Sequence, residues 1–227
     1  MSCQNDVVTD SRLALGPMLN PVRGIMNGLA AVAAAIGAGV FAFRADTGPG
    51  RFALLVFGLG LVALFSTSSL YHSVPWRGLW KRRMQRLDHS MIYVLIATSY
   101  TPISVIVLSG WVRSTTIAVV WGVASTGIAL VMLLPSAKHG VSIAIMMTLG
   151  WIAVPLMVPV AAEVGLTAVV LLVAGGVLYS VGMVFLVTGW PRLWPRVFSH
   201  HEAFHVLVVG AAALHFAVNF RYVAPLG

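Results

Sequence analysis

Apolar residues run along this chain in seven long blocks, separated by short charged stretches. Charge-free segments cover residues 24–43, 52–76, 89–112, 114–137, 139–162, 164–191 and 203–220, with lengths of 20, 25, 24, 24, 24, 28 and 18. An α-helix needs roughly 20 such residues to cross a hydrocarbon core of about 30 Å. No alternation of polar and apolar residues at strand spacing runs through them, which disfavours a transmembrane barrel. The pattern predicts an all-α membrane protein of seven transmembrane helices over residues 21–222, with short connections, preceded by a segment at residues 1–20. Gly175, Gly176 and Gly182 predict close approach of the sixth helix to a neighbour. Tyr179 lies among them and offers its hydroxyl to a polar partner inside the bundle.

Composition agrees with this reading. The 227 residues are 59% hydrophobic and 9% charged, against about 25% charged in soluble domains. The formal charge of +8 sits in short loops between apolar blocks. It therefore points to anionic lipid rather than nucleic acid, and no nucleic-acid partner is expected. The one cysteine, Cys3, allows neither an intrachain disulfide nor a cysteine-based metal site. Residues 1–20 lack the plan of a signal peptide, having Asp6 and Asp10 where a basic start belongs and no sufficient apolar stretch.

Charge also predicts orientation. Arg12, Arg23, Arg77, Lys81, Arg82, Arg83, Arg86, Lys138, Arg192 and Arg196 fall on one side, ten of the fourteen basic residues. The positive-inside rule puts that side, with the N-terminus, in the cytoplasm and the C-terminus outside a cell membrane. The densest cluster, Trp80-Lys81-Arg82-Arg83-Met84-Gln85-Arg86, falls in the second connection and reads as a topology anchor.

Three separate stretches of sequence bring polar groups to this cytoplasmic end. His72 closes helix two, Asp88 and His89 open helix three, and His200, His201 and His205 open helix seven. His201 and His205 are spaced i, i+4 and share a helix face. With His72 they form a candidate three-nitrogen zinc site with an open fourth position, the pattern of catalytic zinc. Polar groups at membrane depth are costly and usually functional. His201-Glu202-Ala203-Phe204-His205 also matches the H-E-x-x-H pattern of zinc proteases. Ser199, three residues before Glu202, favours a helix capping box instead. Asp88 is the candidate for orienting metal-bound water and accepting its proton. Its other reading is a salt bridge to Arg86 or another loop cation. Ser68, four residues before His72 on the same face, either hydrogen-bonds near the site or packs between helices. His89 points about 100° away from Asp88 and reads as a supporting residue. His215 is nearly three turns from His205, too far for the same metal.

These residues resemble the hemolysin III family, bacterial relatives of the progestin and adipoQ receptors. The likeness runs from Arg23 to about Phe220. It is carried by Ser68-Ser69-Leu70-Tyr71-His72, by Leu87-Asp88-His89-Ser90-Met91-Ile92-Tyr93 through Tyr100-Thr101-Pro102, by His201-Glu202-Ala203-Phe204-His205 and by Leu214-His215-Phe216. The resemblance implies seven helices, a cytoplasmic N-terminus, and zinc on His72, His201 and His205 beside Ser68 and Asp88. Eukaryotic relatives can carry glutamine at the position of Glu202. One departure is Asn27, where family members often have a histidine near the start of helix one. Those relatives and the more distant alkaline ceramidases suggest hydrolysis of a lipid amide. The expected function is thus a zinc-dependent membrane hydrolase acting on a lipid amide or ester through zinc-bound hydroxide. The alternatives are a non-enzymatic membrane regulator or receptor-like protein with a structural zinc, and a pore-forming hemolysin.

Overall fold

The computed structural model describes residues 20–134, 139–194 and 198–227. Its helices are α1 (Pro21–Phe41), α2 (Gly48–Ser73), α3 (Gly78–Pro102), α4 (Gly110–Leu133), α5 (His139–Trp151), α6 (Met157–Val164), α7 (Leu166–Thr188) and α8 (His200–Val218). Wide π turns continue α3 over Ile103–Val107 and α8 over Asn219–Val223. A 3-10 turn, Val154–Leu156, joins α5 to α6, so these two make one span. Among the described residues seven helical spans are long and apolar enough to cross a membrane. There are no strands among them beyond an isolated bridge between Trp194 and Phe198.

The exposed faces show what surrounds the bundle. On α1, Ile25, Leu29, Val32, Ile36 and Val40 are all exposed, at steps of three and four residues. On α7 the exposed stripe is Leu166, Val170, Val173, Val177, Val181 and Val184. Contiguous apolar stripes of this length are rare on proteins that face water. Here they are covered by lipid, and polar residues point inward.

Local chemistry explains the breaks. Pro102 cannot donate the backbone bond that an α-helix needs, and α3 loosens into its π turn directly after it. Pro155 has the same defect, and the fifth span is interrupted there. Gly165, at φ +83°, separates α6 from α7 with a backbone that side chains disfavour. Ser199 starts α8 with a capping box, completed by Glu202 as the spacing predicts.

Neighbouring spans pack in sequence order from α1 to α4, α7 packs along α8, and α1 also touches α8. The contacts are made at small residues. A Cβ on Gly58 would lie 2.8 Å from Ala38 Cβ, and one on Gly127 would overlap the Tyr93 ring. On α7, Gly175 is tight against His215 and Gly182 against Phe204, whereas Gly176 meets nothing within 4 Å. Two of the three expected contact glycines therefore serve packing, and the third faces a cavity.

Charge-free runs understate two helices. α3 starts at Gly78, so Trp80–Arg86 is helix rather than loop, and Asp88 lies about 15 Å along it. Lys and Arg are good helix formers, and outside the hydrocarbon core nothing opposes their charge. α8 likewise starts at His200 and carries Glu202 inside the fold.

Close packing of α3 on α4 gives a stability test. Gly127→Ala should destabilise the protein by about 1–3 kcal/mol, the usual cost of overpacking. Gly122→Ala, on the same helix with nothing within 4 Å, should leave it unchanged. Thermal unfolding in detergent measures both, and equal behaviour would contradict this helix contact.

Candidate metal centre

The three histidines meet at the end of the bundle where α2 finishes and α1, α3 and α8 begin. It also carries the basic cluster of α3 and is called the basic end below. The capping box fixes the first turn of α8: Ser199 N donates to Glu202 Oε2 at 2.7 Å, and His201 N donates to Ser199 Oγ at 3.3 Å. His201 and His205 then project from one face, their rings stacked at 5.0 Å and 18°. His72, in the last turn of α2, meets both edge-on, with centroids 5.2 Å from His201 and 5.0 Å from His205. The His72 and His205 Nε2 atoms are 3.3 Å apart. One ligand atom from each of the three rings lies within 4.8 Å of the others.

This donor set fits a metal ion. Tetrahedral zinc with nitrogens at 2.0–2.1 Å separates them by roughly 3.3–3.4 Å, the distance already held by His72 and His205. An all-imidazole set suits zinc, copper, iron or nickel rather than magnesium or calcium.

Two α1 residues that sequence reasoning did not place here support the centre. Arg23 Nε donates to Glu202 Oε1 at 2.6 Å, in an ion pair shielded from solvent on both sides. Its Nη2 reaches Ser199 Oγ at 3.4 Å. Asn27, only 1% exposed, places its side-chain amide 3.3 Å from His205 Nδ1 and donates to the Arg23 carbonyl at 2.9 Å. Helix one therefore does contribute, through Asn27 itself, whose amide nitrogen lies directly behind the His205 ring. The available signal was opposite charge at one depth: Arg23 and Glu202 both open a span at the basic end.

The other candidates separate cleanly. The Asp88 carboxyl neighbours the Ser68 hydroxyl, and both line a cavity with Asn27 and His205. Asp88 has no ion-pair partner among the described residues, so Arg86 is not its counter-ion; Arg86 instead donates to the Met132 carbonyl at 3.3 Å. Ser68 Oγ is buried and, apart from the adjoining Asp88 carboxyl, has no hydrogen-bond partner among the described residues. His89 and His200 are not in the histidine group. His215 lies further along α8, with Nε2 3.2 Å from the Leu172 carbonyl and its ring edge-on to Tyr179 at 5.7 Å. The side chain of His139 and residues 1–19 lie outside the described residues.

The cavity has a volume of about 190 Å³ and runs from this centre toward His215, Leu172 and Val160. Its walls are mainly Leu, Ile, Met and Val side chains from α2, α3, α5, α6, α7 and α8.

A family model described as Haemolysin-III related matches residues 19–216. The chain belongs to the haemolysin-III-related family. It is 32% identical over 166 residues to the hemolysin-3 homolog of Bacillus subtilis, covering 73% of this chain and 75% of that one. It is 31% identical over 186 residues to hemolysin-3 of Bacillus cereus, covering 82% of each. The human monocyte to macrophage differentiation factor is 28% identical over 171 residues, covering 74% of this chain and 68% of its own. Family membership and the seven apolar spans make this haemolysin-III-related chain a multi-pass integral membrane protein.

The buried ion pair gives the second prediction. Arg23→Met leaves the Glu202 charge buried without its partner, which typically costs 3–5 kcal/mol. The double change Arg23→Met/Glu202→Gln should recover part of that loss. A double-mutant cycle on thermal stability checks it. Additive effects would show that the pair does not couple α1 to α8.

Proposed function

We propose that the protein is a zinc-dependent hydrolase that cleaves an acyl amide or ester of a membrane lipid, with the basic end in the cytoplasm. One observation carries this reading: a three-imidazole cluster and an Asp88–Ser68 pair, with no counter-ion for Asp88 among the described residues, lie at the head of an apolar cavity inside a membrane bundle. An apolar cavity of this kind suits an acyl chain, and the polar groups stand where the chain's carbonyl would lie.

His72, His201 and His205 would hold the ion. Zinc, when bound, polarises a carbonyl and makes water acidic near neutral pH. Asp88 accepts the proton that the attacking water loses and returns it to the leaving group, the work of a positioned general base and acid. The Ser68 hydroxyl, beside Asp88 on the cavity wall, hydrogen-bonds to that water or to the carbonyl oxygen. Asn27, buried directly behind the His205 ring, limits its rotation by packing. Glu202 is occupied by Arg23 and by the helix cap, which removes it from the protease-like role that H-E-x-x-H suggests.

Purified protein should carry about one zinc per chain, measured by metal analysis. His205→Ala should lose most of it and unfold at lower temperature, since a bound metal stabilises the folded state. Full occupancy in that variant would remove His205 from the ligand set.

Asp88→Asn preserves shape and removes the proton acceptor. It should keep its zinc and lose roughly 10²–10⁴-fold in turnover, the usual worth of a positioned acid or base. Product release from ceramides, phospholipids and acyl amides reads this out. If the zinc-loaded parent hydrolyses none of them, the regulator reading replaces this one. If it instead releases dye from liposomes, the pore reading does, in keeping with the name of the two Bacillus relatives.

A further inference from the structure

The histidine cluster has a second cavity on its other side. This vestibule, of about 170 Å³, lies at the basic end and is lined by Arg23, Tyr71, His72, Trp76, Lys81 and His201, among others. His205 lines the inner apolar cavity, while His72 and His201 line the vestibule. The triad thus stands between an apolar chamber and a basic one.

No carboxylate lines the vestibule among the described residues. The charge of Arg23 is taken up by Glu202 at 2.6 Å. Lys81 is exposed and has no ion-pair partner among the described residues. Its neighbours in the basic cluster are directed elsewhere. Arg83 lies over the Trp80 ring at 5.2 Å, and Arg86 reaches the Met132 carbonyl on α4. A topology anchor requires only charge on the correct side of the membrane. It does not require one lysine of the group to line a cavity beside the metal centre.

We propose that the vestibule seats the phosphate-type headgroup of an acylated lipid, with Lys81 as its cation. This rests on the reading of the triad as the place of the scissile carbonyl, and it names the substrate class. The acyl chain fills the apolar cavity, the carbonyl lies at the triad, and the anionic group lies on the vestibule side. Lysine is a compact point charge suited to phosphate, and the Tyr71 hydroxyl adds a donor from the same wall. A free carboxylate would be drawn to the metal itself. An anion held apart from the metal, on the side opposite the chain, therefore belongs to a headgroup.

The test is binding to the full-length protein in neutral detergent, so turnover is not read. The probes are an acylated glycerol phosphate and the monoacylglycerol with the same chain. The parent should bind the phosphate lipid about tenfold or more tightly than the neutral one. Lys81→Gln should remove most of that preference, while Lys81→Arg and Arg82→Gln keep it. Unchanged monoacylglycerol affinity across the variants shows that the inner cavity is intact.

Three results would overturn the proposal. They are a parent with no preference; an Arg82→Gln variant that loses the preference as fully as Lys81→Gln, which would mean diffuse surface charge; and inorganic phosphate alone binding as tightly as the lipid, which would make a free anion the ligand. Absence of hydrolysis in a separate assay would remove the hydrolase reading and leave the headgroup site standing. Loss of headgroup discrimination would do the reverse.

Discussion

The ion pair between Arg23 and Glu202 joins the first transmembrane span to the last and sets the geometry of the centre. Both side chains are withdrawn from solvent, where an unpaired charge would be strongly disfavoured. Glu202 satisfies two demands at once. One carboxylate oxygen takes the Arg23 guanidinium, and the other accepts from the Ser199 backbone and hydroxyl to close the helix cap. A helix start fixed in this way leaves little rotational freedom for the next turn. His201 and His205 therefore face His72 instead of lipid. Asn27, one turn beyond Arg23 on α1, extends the same contact to the His205 ring.

Inside a bilayer, hydrophobic contrast does not hold helices together, so packing and polar pairing must do so. Most of the polar residues here are accounted for in this way. Tyr93 and Tyr100 reach backbone carbonyls on α5 at 2.9 Å, and Ser69 reaches the Gly24 carbonyl of α1 at 2.8 Å. Ser68, Ser90 and Ser104 are buried hydroxyls with no hydrogen-bond partner among the described residues, apart from the Asp88 carboxyl beside Ser68. Of these three, Ser68 alone lines the inner cavity beside Asp88. A buried carboxyl whose one hydroxyl neighbour is Ser68, with no counter-ion among the described residues and three imidazoles nearby, marks a place suited to something polar.

The seven spans and the convergence of the histidines were legible in sequence because each follows from a strong local signal. Charge-free length marks a span, and i, i+4 spacing marks a helix face. The boundaries were less legible, because a count of charge-free residues ends a helix wherever a charged residue falls. That error placed Lys81 in a loop and hid its position on α3. The roles of Arg23 and Asn27 were not readable for a different reason. Arg23 resembles any basic residue at a membrane boundary, and Asn27 any polar residue in a span. Only the packing of α1 beside α8 gives them partners. The two cavities were invisible, since no sequence pattern reports empty space.

The arrangement also explains why one small bundle can keep polar chemistry in the membrane. Arg23, Asp88, Glu202 and the three clustered imidazoles gather at one end, within reach of the basic face of α3. Beyond Asp88 and His205 the interior turns to Leu, Ile, Met and Val, with His215 already engaged by the Leu172 carbonyl and Tyr179. A lipid acyl chain seated in that interior would exclude water from everything except the polar end. The electrostatic contacts of Asp88 and the histidines would then act in a medium of low dielectric, where each is stronger than in water. In the proposed reading, substrate shape and site chemistry are coupled by this layout: a chain filling the apolar chamber would also dry the centre proposed to act on its carbonyl.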